Sequence, residues 1–256
     1  MFASTSDKDM FGGRRPLIRL EVGSHNSNLN DKDSDHDYDY FVAPTLRDLY
    51  EGNKYTKNTA SEGMDWTAYD IRRMPELLWK SNPAMVEAMF SKDRTIHADG
   101  KVKELIEGIF DRSEDIARMN LPYLWNASMG MVRSWMGHMN GDSRYTREYG
   151  YDTKKVMHAV RVLDILHIYQ AGGFASFERA MRFEGEEREY LLNIKHGMYT
   201  KEEAERFVSA YIDRIEGYRD LYTQSKPDRE TYEWLDSTVM EIVRICATND
   251  LKKGMD

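Results

Sequence analysis

Apolar and polar positions change rhythm along this chain, and the change divides it into a short strand-forming part and a long helix-forming part. Leu17-Ile18-Arg19-Leu20-Glu21-Val22 has the short apolar-rich form of a strand, and Gly23-Ser24 interrupts it. The stretch from His25 to Asp33 is rich in Asn and Asp, which favour turns. Ser34 to Val42 then alternates residue by residue as a second strand. A short helix is expected over Thr45-Leu46-Arg47-Asp48-Leu49-Tyr50, a polar loop from Glu51 to Gly63, and a third strand from Met64 to Tyr69. Asp70 is placed to cap a helix running through Arg72, Leu77 and Leu78 toward Ser81, with Pro75 in its first turns.

Beyond Ser81 the apolar residues recur at three- and four-residue spacing. Helices are expected over Ala84 to Phe90, Val102 to Phe110, Asp115 to Met139, Thr153 to Tyr169, Ser176 to Met181, Glu186 to Lys195, Lys201 to Thr223 and Arg229 to Thr248. The polar, glycine-containing loop between Gly137 and Gly150 is the clearest internal boundary. The reading is an α+β protein: a small mixed sheet with helices, followed by a mainly helical body. Its expected divisions are a flexible leader over 1–15, a core over 16–140, and a helical domain over 150–256.

Composition narrows the class. With 41% hydrophobic and 31% charged residues in 256, the chain reads as a globular protein, and no apolar run approaches the roughly 20 residues needed to cross a bilayer. Its one cysteine, Cys246, excludes an internal disulfide and a multi-cysteine zinc site, and the expected compartment is the cytoplasm. A buried, inert thiol is expected there. The net charge of -8 disfavours a broad basic surface for nucleic acid and leaves room for a local basic cleft.

The chemistry is concentrated in the second strand. Side chains alternate across a strand, so Asp35, Asp37 and Asp39 share one face, and such a row of like charges asks for a counter-charge. An EF-hand loop is excluded, because starts at Asp31 or Asp33 lack Gly at the sixth position and Glu at the twelfth. A charged edge strand that blocks aggregation is the plain alternative. The glycine and serine at Gly23-Ser24, just after a strand, favour chemistry over that alternative, since they let backbone N–H groups and a hydroxyl approach a phosphate.

Gly23-Ser24 together with Ser34-Asp35-His36-Asp37 resembles the signature of the DNA polymerase beta superfamily of nucleotidyltransferases. Asp65-Trp66-Thr67-Ala68-Tyr69-Asp70-Ile71-Arg72-Arg73, Lys80-Ser81-Asn82-Pro83, the segment Asp152 to Arg161, and the segment Tyr190 to Gly197 resemble the subgroup of predicted nucleotidyltransferases with RNA-repair-associated members. The spacer differs from the family pattern, with His25-Asn26-Ser27-Asn28 where an Arg and a Gly are usual.

The resemblance implies transfer of a nucleoside monophosphate from a nucleoside triphosphate (NTP) to an acceptor hydroxyl, with Mg²⁺ or Mn²⁺ as cofactor. Asp35, Asp37 and a third carboxylate would be both the catalytic and the metal-binding residues. Asp65, inside a strand, is favoured for the third place over Asp70, which a helix needs as a cap. Gly23 and Ser24 would meet the nucleotide's phosphates. Lys154, His158 and Arg161, at i, i+4 and i+7 of one helix, form a shared face suited to phosphates, with a solvated basic stripe as the plain alternative. Lys195, Arg72 and Arg73 are weaker members of the same expected cleft. His36, His167 and His196 are read as structural or surface residues, since no His-x-x-x-His spacing argues for zinc. The acceptor implied is an RNA 3′ end, with a protein side chain or small hydroxylated molecule as alternatives. A non-catalytic nucleotide- or RNA-sensing module is the competing function.

Overall fold

The structure is a computed structural model that describes residues 10–32, 34–61, 64–252 and 254. Most of the expected leader, and Asp33 in the acidic turn, lie outside the described residues. Five strands form one mixed sheet in the order β3-β4-β2-β1-β5. They are β1 (Pro16–Val22), β2 (His36–Val42), β3 (Thr56–Ser61), β4 (Met64–Asp70) and β5 (Arg94–Ile96). The β2–β4 pair is parallel and the other three pairs are antiparallel.

The helices linking and following the strands are α1 (Gly23–Asn26), α2 (Leu46–Glu51), α3 (Met74–Trp79), α4 (Pro83–Ala88), α5 (Gly100–Asp111), α6 (Ser113–Arg118) and α7 (Leu121–Gly137). After them come α8 (Arg144–Tyr149), α9 (Thr153–Ala171), α10 (Phe177–Met181), α11 (Gly185–Lys195), α12 (Lys201–Glu216), α13 (Arg219–Thr223) and α14 (Arg229–Lys252). The α+β class read from the sequence is the class observed.

Strand parity sets what each sheet face does. Ile18, Leu20 and Phe41 point to one face and join a large apolar core with residues of α4, α7, α9 and α14. That core runs unbroken from β1 to Cys246, so the sheet and the helical body are packed around one interior. The opposite face carries a second, small cluster of Val42, Trp66 and Ala68, covered by Phe11. Phe11 sits against the rings of Tyr40 and Trp66 at 5.0 and 5.4 Å, and Arg14 pairs with the buried Asp48 carboxylate at 2.5 Å. Residues 10–15, the described part of the expected leader, are anchored to the folded chain. Phe11 packs on the sheet, Arg14 pairs with Asp48 of α2, and Arg15 pairs with Asp250 of α14.

The helix expected over Lys201 to Thr223 is divided into α12 and α13, α8 lies in the expected loop between Gly137 and Gly150, and three further differences have definable reasons. β3 lies within the expected loop Glu51 to Gly63; its Thr, Lys and Asn side chains show no apolar alternation, and backbone pairing with β4 makes it an edge strand. The expected long helix over Asp115 to Met139 breaks at Met119-Asn120, with Pro122 in the first turn of α7 and the buried Asn120 donating its Nδ2 hydrogen to Trp79 O at 2.9 Å. Asp70 caps a 3₁₀ turn, Ile71–Arg73, before α3 begins with Pro75 in its opening turn.

Candidate active site

β1 delivers the chain to Gly23, whose φ of +70° is left-handed and opens α1. A Cβ at this position would collide with Asp37 Oδ2, so the missing side chain is what lets the turn lie against that carboxylate. The turn is helical where a loop is expected: Ser27 N–H donates to Gly23 O at 3.2 Å and Leu29 N–H to Ser24 O at 2.8 Å. As at any helix start, its first N–H groups have no acceptor inside the helix. The buried Asn26 donates from Nδ2 to Glu87 O at 2.8 Å, which ties α1 to α4.

The parallel register of β2 and β4 places Asp37 directly beside Asp65 and Val42 beside Asp70. Asp65 and Asp70 therefore stand at opposite ends of β4, roughly 16 Å apart at the usual rise per residue. Asp70 is fully buried, accepts from Arg72 backbone N–H at 2.9 Å and pairs with the Arg72 guanidinium at 2.6 Å. It is committed to the turn. Asp65 is exposed at the same sheet end as Asp37, and Asp35, also exposed, lies one residue before β2.

Burial and negative charge act together at this end of the sheet. Burial raises the Asp37 carboxyl above the ordinary carboxylate range, the negative charge of Asp65 raises it further, Lys154 opposes this, Asp35 adds to it, and His25 opposes it. Asp39, next along the same face, is pushed up to about 7 by burial and then by the charge of Asp37. Both carboxyls resist ionising chiefly because they are buried, and neighbouring negative charge adds to the effect.

The three residues expected to face phosphates diverge in depth. Lys154, in the first turn of α9, is exposed and acts electrostatically on Asp37. His158, one turn on, stacks on Trp135 with ring centroids 5.4 Å apart, and its Nδ1 is enclosed with no hydrogen-bond partner. Burial, and then the charges of Arg161, Lys154 and Lys195, hold its pKa well below the ordinary imidazole range. It is neutral at pH 7. Arg161 is buried and pairs with the buried Glu87 at 2.7 Å. One helical face does not mean one environment, because α9 is the central helix and its axis runs into the core.

The weaker members of the expected cleft are also engaged elsewhere. Lys195 pairs with Asp31 at 2.7 Å, and His196 approaches the same carboxylate oxygen at 3.3 Å. Although burial alone would raise the Asp31 carboxyl, the hydrogen bonds from Lys195, His196 and Ser34 hold it well below the usual range. Arg73 donates to Thr56 Oγ1 and lies over the Tyr69 ring. Cys246 is buried and its thiol is pushed up, chiefly by burial.

A second group of side chains, absent from the sequence reading, gathers at the same sheet end. Glu21, His25 and His36 each bring one ligand-type atom within 4.8 Å of the others. No local spacing announces them, because His25 and His36 are separated by the turn and only the β1–β2 pairing brings them together. Among the described residues, no helix is long and apolar enough to cross a membrane.

The sequence model of the RNA repair pathway DNA polymerase beta family, RlaP, matches residues 12–241. No curated protein matches the chain. The match spans the sheet, the Gly23-Ser24 turn, the acidic strand and nearly all of the helical body. The chain belongs to the RNA repair pathway DNA polymerase beta family.

Proposed function

We propose, starting from that membership, that the protein is a nucleotidyltransferase that moves a nucleoside monophosphate from an NTP to an acceptor hydroxyl and releases pyrophosphate. The observation that carries the reading is the Asp37–Asp65 register pair, with Gly23 closed against Asp37 and Lys154 opposing its negative charge.

The donor set fits a hard divalent cation. Asp35, Asp37 and Asp65 offer only carboxylate oxygens, and a cation would offset both the burial of the Asp37 carboxylate and the negative charge of Asp65 beside it. These three residues would hold Mg²⁺ or Mn²⁺, which when bound supplies charge neutralisation on the phosphates and acidifies the acceptor hydroxyl.

The chain's own groups bind and align. Ser24, with its hydroxyl and the first N–H groups of α1, receives the terminal phosphates, and Lys154 adds positive charge on the helical side of the carboxylates. The acceptor oxygen bonds to the α-phosphorus as the bond from that phosphorus to the bridging oxygen breaks. Pyrophosphate leaves, and the hydroxyl proton passes to water or to Asp65, the carboxylate open to solvent. Arg161 acts through Glu87: the ion pair fixes α4 against α9, and Glu87 O fixes Asn26 and so the turn that carries Ser24.

The acceptor favoured is an RNA 3′ hydroxyl, by the RNA-repair association of the family. A protein or small-molecule hydroxyl fits the same chemistry. The proposed location is the cytoplasm, on the single cysteine of the chain. The test incubates the protein with each labelled NTP, Mg²⁺ or Mn²⁺, and pooled RNA with free 3′ ends. Extension of RNA, lost in Asp37→Ala and Asp65→Ala, supports the proposal; triphosphate binding without transfer under every condition favours a sensing module instead.

A further inference from the structure

We infer that Glu21, His25 and His36 form a second metal site, for a borderline divalent ion of the zinc class, separate from the carboxylates of the candidate active site. Glu21 and His36 lie on the face of the β1–β2 ribbon opposite Asp37, by the pairing of Glu21 with Tyr38 and of Val22 with Asp37. His25 projects from α1 at the end of the sheet. His36 Nδ1 lies 2.6 Å from Glu21 Oε1, and the His25 and His36 rings stack at 4.1 Å.

A plain hydrogen-bonded pair would need only Glu21 and His36. His25 is the residue such a pair leaves unexplained: its Nε2 is enclosed and has no hydrogen-bond partner, although the ring stacks on that of His36. An enclosed ring nitrogen without a partner is unfavourable unless something accepts its lone pair or takes its hydrogen. A cation between the three side chains would do so. The ligand-type atoms lie within 4.8 Å of one another, and a tetrahedral ion with bonds of about 2.0–2.1 Å needs its ligand atoms about 3.3 Å apart. To bind an ion the two stacked imidazoles would turn out of their near-parallel arrangement so that their in-plane nitrogen lone pairs converge on it.

The donor set selects the ion. Two imidazoles and one carboxylate suit zinc and its first-row neighbours, whereas the all-oxygen set of Asp35, Asp37 and Asp65 suits magnesium. The ligands also bracket the proposed chemistry: Gly23-Ser24 lies between Glu21 and His25, and His36 lies between Asp35 and Asp37. An ion there joins both ends of the connection between β1 and β2. It would hold the Ser24 turn in fixed relation to the acidic strand.

The test uses the full chain stripped with EDTA, followed by Zn²⁺ calorimetry, Co²⁺ visible absorption and thermal unfolding. Wild type should take up one ion and show a raised unfolding temperature. Glu21→Gln, His25→Gln and His36→Gln should each weaken uptake by on the order of a hundredfold, since loss of an outer-shell partner alone costs 10–100-fold. Unfolding temperatures in EDTA report whether each variant folds. The Asp35→Asn/Asp37→Asn/Asp65→Asn variant should retain Co²⁺ uptake, so this result is independent of the transferase proposal. Absence of uptake by wild type, uptake unchanged in His25→Gln and His36→Gln, or uptake lost only in the triple Asp variant overturns the site.

Discussion

Gly23 and Asp37 occupy space that only a residue without a Cβ allows them to share: a side chain on Gly23 would run into Asp37 Oδ2. The left-handed φ of +70° adds a backbone reason for glycine at the same position. Gly23→Ala should therefore displace either the turn or the carboxylate. Because misplacement of about 1 Å at a reacting centre costs on the order of a hundredfold in rate, transfer should fall by about that factor. Gly23 is exposed, so stability should fall by only about 1 kcal/mol, measurable by urea unfolding.

Lys154 and Arg161 share a helical face and should respond in opposite ways. Lys154→Ala should leave stability within about 0.5 kcal/mol and weaken triphosphate binding, because its ammonium is exposed beside the carboxylates. Arg161→Met strands the buried Glu87 carboxylate and should destabilise the fold by about 3–5 kcal/mol. Adding Glu87→Gln to that variant should restore much of the loss. Urea midpoints and NTP titrations of the three variants separate the two roles.

Asp65 and Asp70 make a similar contrast on one strand. Asp65→Asn should abolish transfer without destabilising the apo protein, since it removes a charge that repels Asp37. Asp70→Ala should cost about 1–3 kcal/mol of stability by leaving the Arg72 N–H and guanidinium without their acceptor. Thermal unfolding beside activity checks both.

Asp164 gives the fold a pH dependence that can be isolated. Burial raises its carboxyl to about 6, against the opposing effect of the Tyr211 hydroxyl, which donates to Asp164 Oδ1 at 2.5 Å; the charge of Glu187 adds to the rise. The unfolded value is near 3.8, so the native state holds a proton more tightly between about pH 4 and 6. The favourable contribution is complete below about pH 4 and is lost as pH rises through 6. Asp164→Asn keeps an acceptor for Tyr211 and should be more stable than wild type at pH 8, by on the order of 3 kcal/mol. The difference should close by pH 4 in paired melts.

Much of this was legible from one sequence because it depends on short-range periodicity. The two-residue alternation of β2 put Asp37 and Asp39 on one face, and the strand form of Met64 to Tyr69 distinguished Asp65 from Asp70. What periodicity cannot carry is depth and long-range pairing. Lys154, His158 and Arg161 form one stripe on a helical projection, yet packing takes Arg161 to a buried partner 74 residues away in the chain. Thr56 to Ser61 pairs through its backbone, so its side chains give no strand signal. Phe11 is a lone aromatic in a polar segment, and Glu21, His25 and His36 meet only after β1 pairs with β2.

Transfer of a nucleoside monophosphate is proposed for the Asp35, Asp37 and Asp65 end of the sheet. The most direct measurement offers the enzyme NTP labelled at either the α- or the γ-phosphate, with Mg²⁺ or Mn²⁺ and RNA bearing a free 3′ hydroxyl, and follows where the label goes. The expected result is α-label on the RNA and γ-label in released pyrophosphate, with both lost in Asp37→Asn and Asp65→Asn. It is contradicted by γ-label on the acceptor, or by α-label transfer that persists undiminished in those two variants.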